Sequence, residues 1–198
     1  MTATERREAI IEAAIQLFAE RGFRGTTTRE LAAAVGVSEP VLYQHFATKR
    51  DLYLAILERT SREHGVDRLA EQIRPYLNGA DDRGFFLQLA ELIVEWHARN
   101  SAFTRLVYFS ALEGYELSDL FLDRNSPGFF GMVSGYIRSG IAAGRFRAVD
   151  PEIAARSFAY LVGSYGADYV IFPKAVPAAP RKEVIATMVD IFLTGLKA

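Results

Sequence analysis

Between residues 27 and 49 the chain sets out hydroxyls, cations, an amide and two apolar edges at short intervals. They are Thr27, Thr28, Arg29, Ser38, Glu39, Pro40, Val41, Tyr43, Gln44, His45 and Lys49. These groups suit grasping and reading more than making or breaking bonds. A glutamine amide matches the hydrogen-bonding edge of adenine, a glutamate oxygen accepts from the amino group of cytosine, and an apolar Pro or Val edge suits a thymine methyl. Hydroxyls and cations are ordinary ligands of phosphate oxygens. Plainer readings stand beside these. Thr27 and Arg29 serve equally well as a helix cap and a surface cation, Glu39 as favourable charge at a helix N-terminus, and His45 as a histidine packed between helices. Lys49 is different, because a cation at a helix start opposes the helix dipole and so argues for a role beyond its own helix.

Short helices with sharp ends must hold these residues. Thr27 and Glu30 have the spacing of a capping box, and Leu31, Ala34 and Val35 fall on one helical face. Gly36 suits the left-handed conformation that ends a helix. Ser38 caps the next helix, with Pro40 in its first turn, where a missing N–H costs little. Leu42 and Phe46 point inward, leaving Glu39, Pro40, Val41, Tyr43 and Gln44 outward. Thr48 and Asp51 form a further capping box. The spacing is that of a helix–turn–helix whose second helix has an outer face unlike a core.

Within this stretch, T-x-R-E-L-A-x-x-V-G-V-S followed by L-Y-x-H-F-x-x-K resembles the DNA-binding domain of the TetR (tetracycline repressor) family of transcriptional regulators. The likeness covers about a quarter of the chain, roughly residues 9 to 57. One departure is Pro40, where many members carry Gly, followed by Val41 in place of a small residue. The resemblance implies an all-α protein of about nine helices. Residues 1–47 would form a three-helix DNA-binding domain and residues 48–198 a helical domain for effector binding and dimerisation. It implies that Tyr43 and Lys49 anchor the DNA backbone, that His45 matches a common family histidine, and that the helix starting near 48 moves when ligand binds.

Composition sets the outer limits. The chain has 198 residues, half of them hydrophobic, and no cysteine, which excludes disulfides and thiolate metal sites and fits a reducing cytoplasm. The charged N-terminus lacks the apolar core of a signal peptide, and the most apolar late run, 157–172, contains Asp168 and is short for a membrane span. A soluble, cytoplasmic protein without membrane contact is expected. Net charge is −1, and residues 1–60 carry eight cations and eight carboxylates. Few phosphate ion pairs and a modest salt dependence are therefore expected. HExxH, P-loop and GxSxG patterns are absent, and the serine of the 131–135 run Gly-Met-Val-Ser-Gly sits at the wrong place. The three histidines are widely scattered. No enzyme activity, cofactor or metal is expected.

Helix 1 is read over about 4–21, with Ile10, Ala14, Leu17 and Phe18 as its apolar face and Gly22 at its end. Residues 74–84, including Gly79, form the clearest break, followed by helices over 85–99, 102–113, 116–123 and 128–143, with a turn at 125–128. Pro151 opens a helix after the Asp150 cap, and a Pro/Ala connector over 173–180 precedes the last helix. Trp96, His97, Phe103, Tyr108, Phe109, Glu113, Phe129, Phe130, Tyr136, Phe158 and Tyr165, with Tyr115 and Arg105, are candidates to line a pocket for a hydrophobic or aromatic effector. Core packing is the competing reading of each aromatic. Ala155, Ala159, Gly163, Gly166 and Val170, with Val184, Met188, Ile191 and Phe192, are candidates for a homodimer interface built as a four-helix bundle. The expected partners are thus double-stranded DNA with an inverted-repeat operator, a second copy of the chain and a small molecule. Two alternatives stand beside this reading: a helical binding or catalytic protein with an incidental helix–turn–helix, and a regulator with a protein effector or none.

Overall fold

The computed structural model describes residues 2–64, 66–78, 81–114 and 116–197, with the side chains at 61, 63, 64, 66, 67, 116–119, 121, 122 and 124–126 left aside. The expectations placed on Gly79 and Tyr115 fall outside the described residues. The described chain is all-α: α1 (Ala3–Gly25), α2 (Thr28–Val35), α3 (Glu39–His45), α4 (Lys49–His64), α5 (Val66–Ile73), a 3₁₀ turn (Arg74–Tyr76), α6 (Asp82–Arg99), α7 (Ser101–Leu112), α8 (Glu116–Ala142), α9 (Pro151–Ile171) and α10 (Arg181–Leu196). The only β feature among them is an isolated bridge between Phe146 and Lys197.

Contacts divide the chain into two compact units, residues 1–64 with 100–124, and residues 65–99 with 125–198. This division does not follow residue 47, because α4 and α7 both pack with α1. In the first unit, Ile10, Ile11, Ala14 and Phe18 of α1 are buried with Leu31, Leu42, Phe46, Leu52, Tyr53 and Ile56. The rings of Phe18, Phe23 and Tyr53 meet at centroid distances of 5.2–5.5 Å. Tyr53 also donates its hydroxyl to the Leu106 carbonyl at 3.3 Å, tying α4 to α7.

Gly22, at φ +73° and ψ 172°, ends the continuous helix read over 4–21, and one further helical turn carries α1 to Gly25. Other local expectations need correcting. In α2 the buried positions are Leu31 and Ala32, whereas Ala34 is exposed, so the helix is rotated from the face read in the sequence. Ser38 sits at the N-cap of α3 but makes no side-chain cap bond. The turn expected at 125–128 is absorbed into α8, with Pro127 inside the helix. A proline removes one intrahelical bond but does not by itself forbid a long helix from continuing.

The second unit is built around Phe85, Phe86, Leu89 and Val94 of α6, with Val133, Tyr136 and Ile137 of α8, Phe158 and Val162 of α9, and Ile185, Val189 and Leu193 of α10. Tyr136 stacks on Phe85 at 3.7 Å and gives its hydroxyl to Asp82 at 2.7 Å, and Arg145 binds the same carboxylate. Burial and the neighbouring carboxylate raise the Tyr136 phenol above its ordinary range. Asp150 caps α9 by accepting from the amides of Glu152 and Ile153.

Candidate nucleic-acid interface

Two glycine- and cap-defined corners hold α3 in place. Thr27 accepts from the Glu30 amide, and the Glu30 carboxylate accepts from the Thr27 amide at 2.8 Å, closing the capping box. This box, together with Arg21 at 2.6 Å, lowers the Glu30 pKa. Gly36, at φ +72°, turns the chain out of α2, and the Val37 amide reaches back to the Ala32 carbonyl at 2.9 Å. A side chain with a Cβ would be strained there. Leu42 and Phe46 anchor α3 from below. At the far end, Thr48 and Asp51 form their expected box at the start of α4.

The upper surface of α3 stays open. Pro40, Tyr43 and Gln44 are exposed, Tyr43 to 47 %, and Glu39, Val41 and His45 are half-buried. Thr27, Arg29 and Ser38 are exposed beside them, with Thr28 half-buried. A polar chain links the two helices: the Tyr43 hydroxyl donates to Thr28 Oγ1 at 3.4 Å, and Thr28 donates to Glu39 Oε2 at 2.8 Å. The sequence separations of 15 and 11 residues hide this chain from a reading based on helical periodicity.

Lys49 has a different setting from the one read in the sequence. Its ammonium donates to the carbonyls of Phe23 and Thr26, at 2.8 Å for the latter, and lies 4.1 Å from the centre of the Phe23 ring. Partial burial lowers its pKa, and the Glu113 carboxylate opposes that shift. A lysine stands at this unfavourable helix start because it satisfies orphan carbonyls at the end of α1. Glu113, a candidate effector ligand, also belongs to this junction. Its carboxylate accepts from the backbone amides of Phe23 at 3.0 Å and Arg24 at 3.3 Å, just beyond the break at Gly22.

The remaining effector candidates are divided between the units. Phe103, Tyr108 and Phe109 fall in the first, Phe103 buried and the other two exposed. Trp96, His97, Phe129, Phe130, Tyr136, Phe158 and Tyr165 fall in the second. There Phe158 packs on Phe86 and Phe192 at 5.0–5.1 Å, and Tyr136 is buried in the Phe85 stack, so these two belong to the hydrophobic core. Phe130 lies under the Arg156 guanidinium at 4.4 Å. Burial pushes the His97 imidazole down to about 4. A solvent-open depression of about 290 Å³ is lined by Tyr76, Asp81, Arg83, Gly84, Leu87, Gln88 and Glu91, which include none of the effector candidates.

The small-residue stripe of α9 also needs correcting. Ala155, Gly166 and Val170 are buried within the protomer, and a Cβ on Gly166 would meet His97 at 2.6 Å. Val184 is buried, and Met188 and Phe192 pack against the same core. A stripe of small residues permits close approach by any helix, and here α6 takes that place. What stays outward is Ile191, 66 % exposed, with Ile153 and Tyr160, both missed in the sequence, and Gly163, whose added Cβ would meet nothing within 4 Å. Ala159 is half-buried beside them.

Two family models match the chain: bacterial regulatory proteins of the tetR family over residues 10–56, and the C-terminal domain of AefR-like transcriptional repressors over residues 85–195. The HTH-type transcriptional activator FasR of Mycolicibacterium smegmatis is 37 % identical over 105 residues, 52 % of this chain and 46 % of FasR. The chain thus spans about half the length of that curated relative. Among solved structures, a tetR-family regulatory protein from Rhodococcus RHA1 is 26 % identical with a TM-score of 0.70, covering 98 % of this chain and 97 % of that one. AibR in complex with isovaleryl coenzyme A and operator DNA is 22 % identical with a TM-score of 0.68, covering 94 % and 97 %, a likeness of fold.

Proposed function

The chain belongs to the tetR family of bacterial regulatory proteins, and on that premise we propose that it is a sequence-specific DNA-binding repressor released from its operator by a small hydrophobic or aromatic effector. The observation that carries the reading is the posture of α3. Its lower face is fixed by Leu42 and Phe46, while Pro40, Tyr43 and Gln44 face solvent. Such a helix fits the major groove, with its first turns toward the base edges.

Tyr43, Thr27, Thr28 and Arg29 supply the phosphate contacts, together with Ser38 and His45 at the ends of α3. Pro40, Val41, Gln44 and Glu39 face the bases. Lys49 acts from within, by fixing the end of α1 against the start of α4. The protein works as a homodimer on an inverted repeat, with recognition helices roughly 34–36 Å apart. Its dimer face is the outward side of α9 and α10 around Ile153, Tyr160, Gly163 and Ile191. The effector acts by binding one head spacing better than the other, since a ligand shifts an equilibrium only through differential affinity. AibR, of like fold, binds both an acyl coenzyme A and operator DNA, which supports a two-ligand switch. The protein acts by binding, without catalysis.

The test is retention of a labelled random duplex pool by the full chain at low salt, with release as salt is raised. Protein that retains no duplex above background would rule the reading out.

A further inference from the structure

The chain of hydroxyls beneath α3 ends in a carboxylate, and its direction fixes where each proton goes. Tyr43 spends its one hydroxyl proton on Thr28, and Thr28 spends its own on Glu39. Neither hydroxyl has a second proton to give. Phosphate and carboxylate are both anionic acceptors and compete for such donors. Glu39 therefore holds, in the DNA-free protein, the Thr28 proton that a backbone phosphate would take, and Thr28 in turn engages the proton of Tyr43.

Resting on the DNA-binding reading above, we infer that Glu39 is a built-in discriminator, a carboxylate that competes with phosphate for Thr28, the acceptor of Tyr43, and yields only when the duplex offers it a donor in return. Binding then proceeds by exchange. A phosphate oxygen accepts from Thr28 and Tyr43, and the released carboxylate turns to the groove from the first turn of α3. An ionised carboxylate can only accept, and the major-groove donors are the amino groups of cytosine and adenine. Where the sequence places such an amino group, the exchange is matched. Where it places only acceptors, a desolvated charge is left facing other negative atoms, which is costly. Glu39 thus weakens binding to wrong sequences more than it strengthens binding to the right one. Residues 1–60 carry equal numbers of cations and carboxylates, so removal of this one charge tips the head from neutral to net positive.

The experiment compares the full chain with Glu39→Gln on two duplexes: one recovered from a random pool by the wild-type protein, and a scrambled duplex of equal length. The amide oxygen still accepts from Thr28, so the melting temperature should hold. The variant should bind the scrambled duplex roughly tenfold more tightly, with a steeper fall of affinity with salt, and the ratio between the two duplexes should shrink. Glu39→Ala should show the same loss of discrimination. If both variants bind the scrambled duplex no better than the wild type while melting normally, the inference is overturned and DNA binding itself stands. A wild-type chain that holds neither duplex overturns both.

Discussion

At the scale of single residues, the junction of Lys49, Glu113 and the end of α1 shows how one ion can be structural where its position suggests contact with a ligand. The ammonium and the carboxylate satisfy backbone groups of opposite kind, carbonyls and amides, in the short stretch that follows the break at Gly22. Hydrogen bonds to charged groups are worth about 1.5–3 kcal/mol each. Lys49→Ala should therefore lower the melting temperature and weaken binding to all sequences together. Tyr43→Phe should leave the melting temperature unchanged and lower affinity alone. Thermal denaturation beside duplex titration separates the two, and a Lys49→Ala protein with wild-type stability would refute the junction. His97 gives a pH prediction. Its pKa of about 4 in the fold lies below the ordinary 6.5, so between these values the unfolded chain binds a proton that the folded chain refuses. This contribution to stability is fully present above pH 6.5 and is lost as pH falls toward 4, by up to about 3 kcal/mol. Urea denaturation of wild type and His97→Gln between pH 7 and 4.5 checks it. The difference between them should narrow as the pH drops.

At the scale of elements, the parts legible in the sequence are those whose cause is local. The Thr27–Glu30 and Thr48–Asp51 boxes, the left-handed Gly36 and the Leu42/Phe46 anchor each depend on residues within four positions, so spacing alone defines them. The hydroxyl chain, Lys49 and Glu113 bond across 11, 23 and 90 residues, and no periodicity encodes such partners. The same limit explains α9, where small residues marked a close approach but not which helix makes it. Pro127 misled for another reason: a local penalty was outweighed by its long helix. Gly36→Val tests the element that matters most for α3. The left-handed backbone costs a β-branched residue about 1–2 kcal/mol or more, so a lower denaturation midpoint is expected. An unchanged midpoint would mean that the corner does not depend on that conformation.

At the scale of the whole molecule, the regulatory reading needs two copies of α3 held at a fixed spacing. The second unit has an aromatic-rich core and an outward apolar set at Ile153, Tyr160 and Ile191. Gly163 lies in open space within the protomer, so Gly163→Trp should leave the monomer fold and its melting profile intact while abolishing dimers in sedimentation. A variant that still sediments as a dimer would remove this face from consideration.

Selection of bound sequences from a random duplex pool by the full chain, repeated with Tyr43→Phe, tests DNA reading by α3 most directly. An inverted repeat with half-site centres about one helical turn apart is expected, recovered by both proteins and held more weakly by the variant. Recovery of no shared sequence, or a changed base preference in Tyr43→Phe, would contradict it.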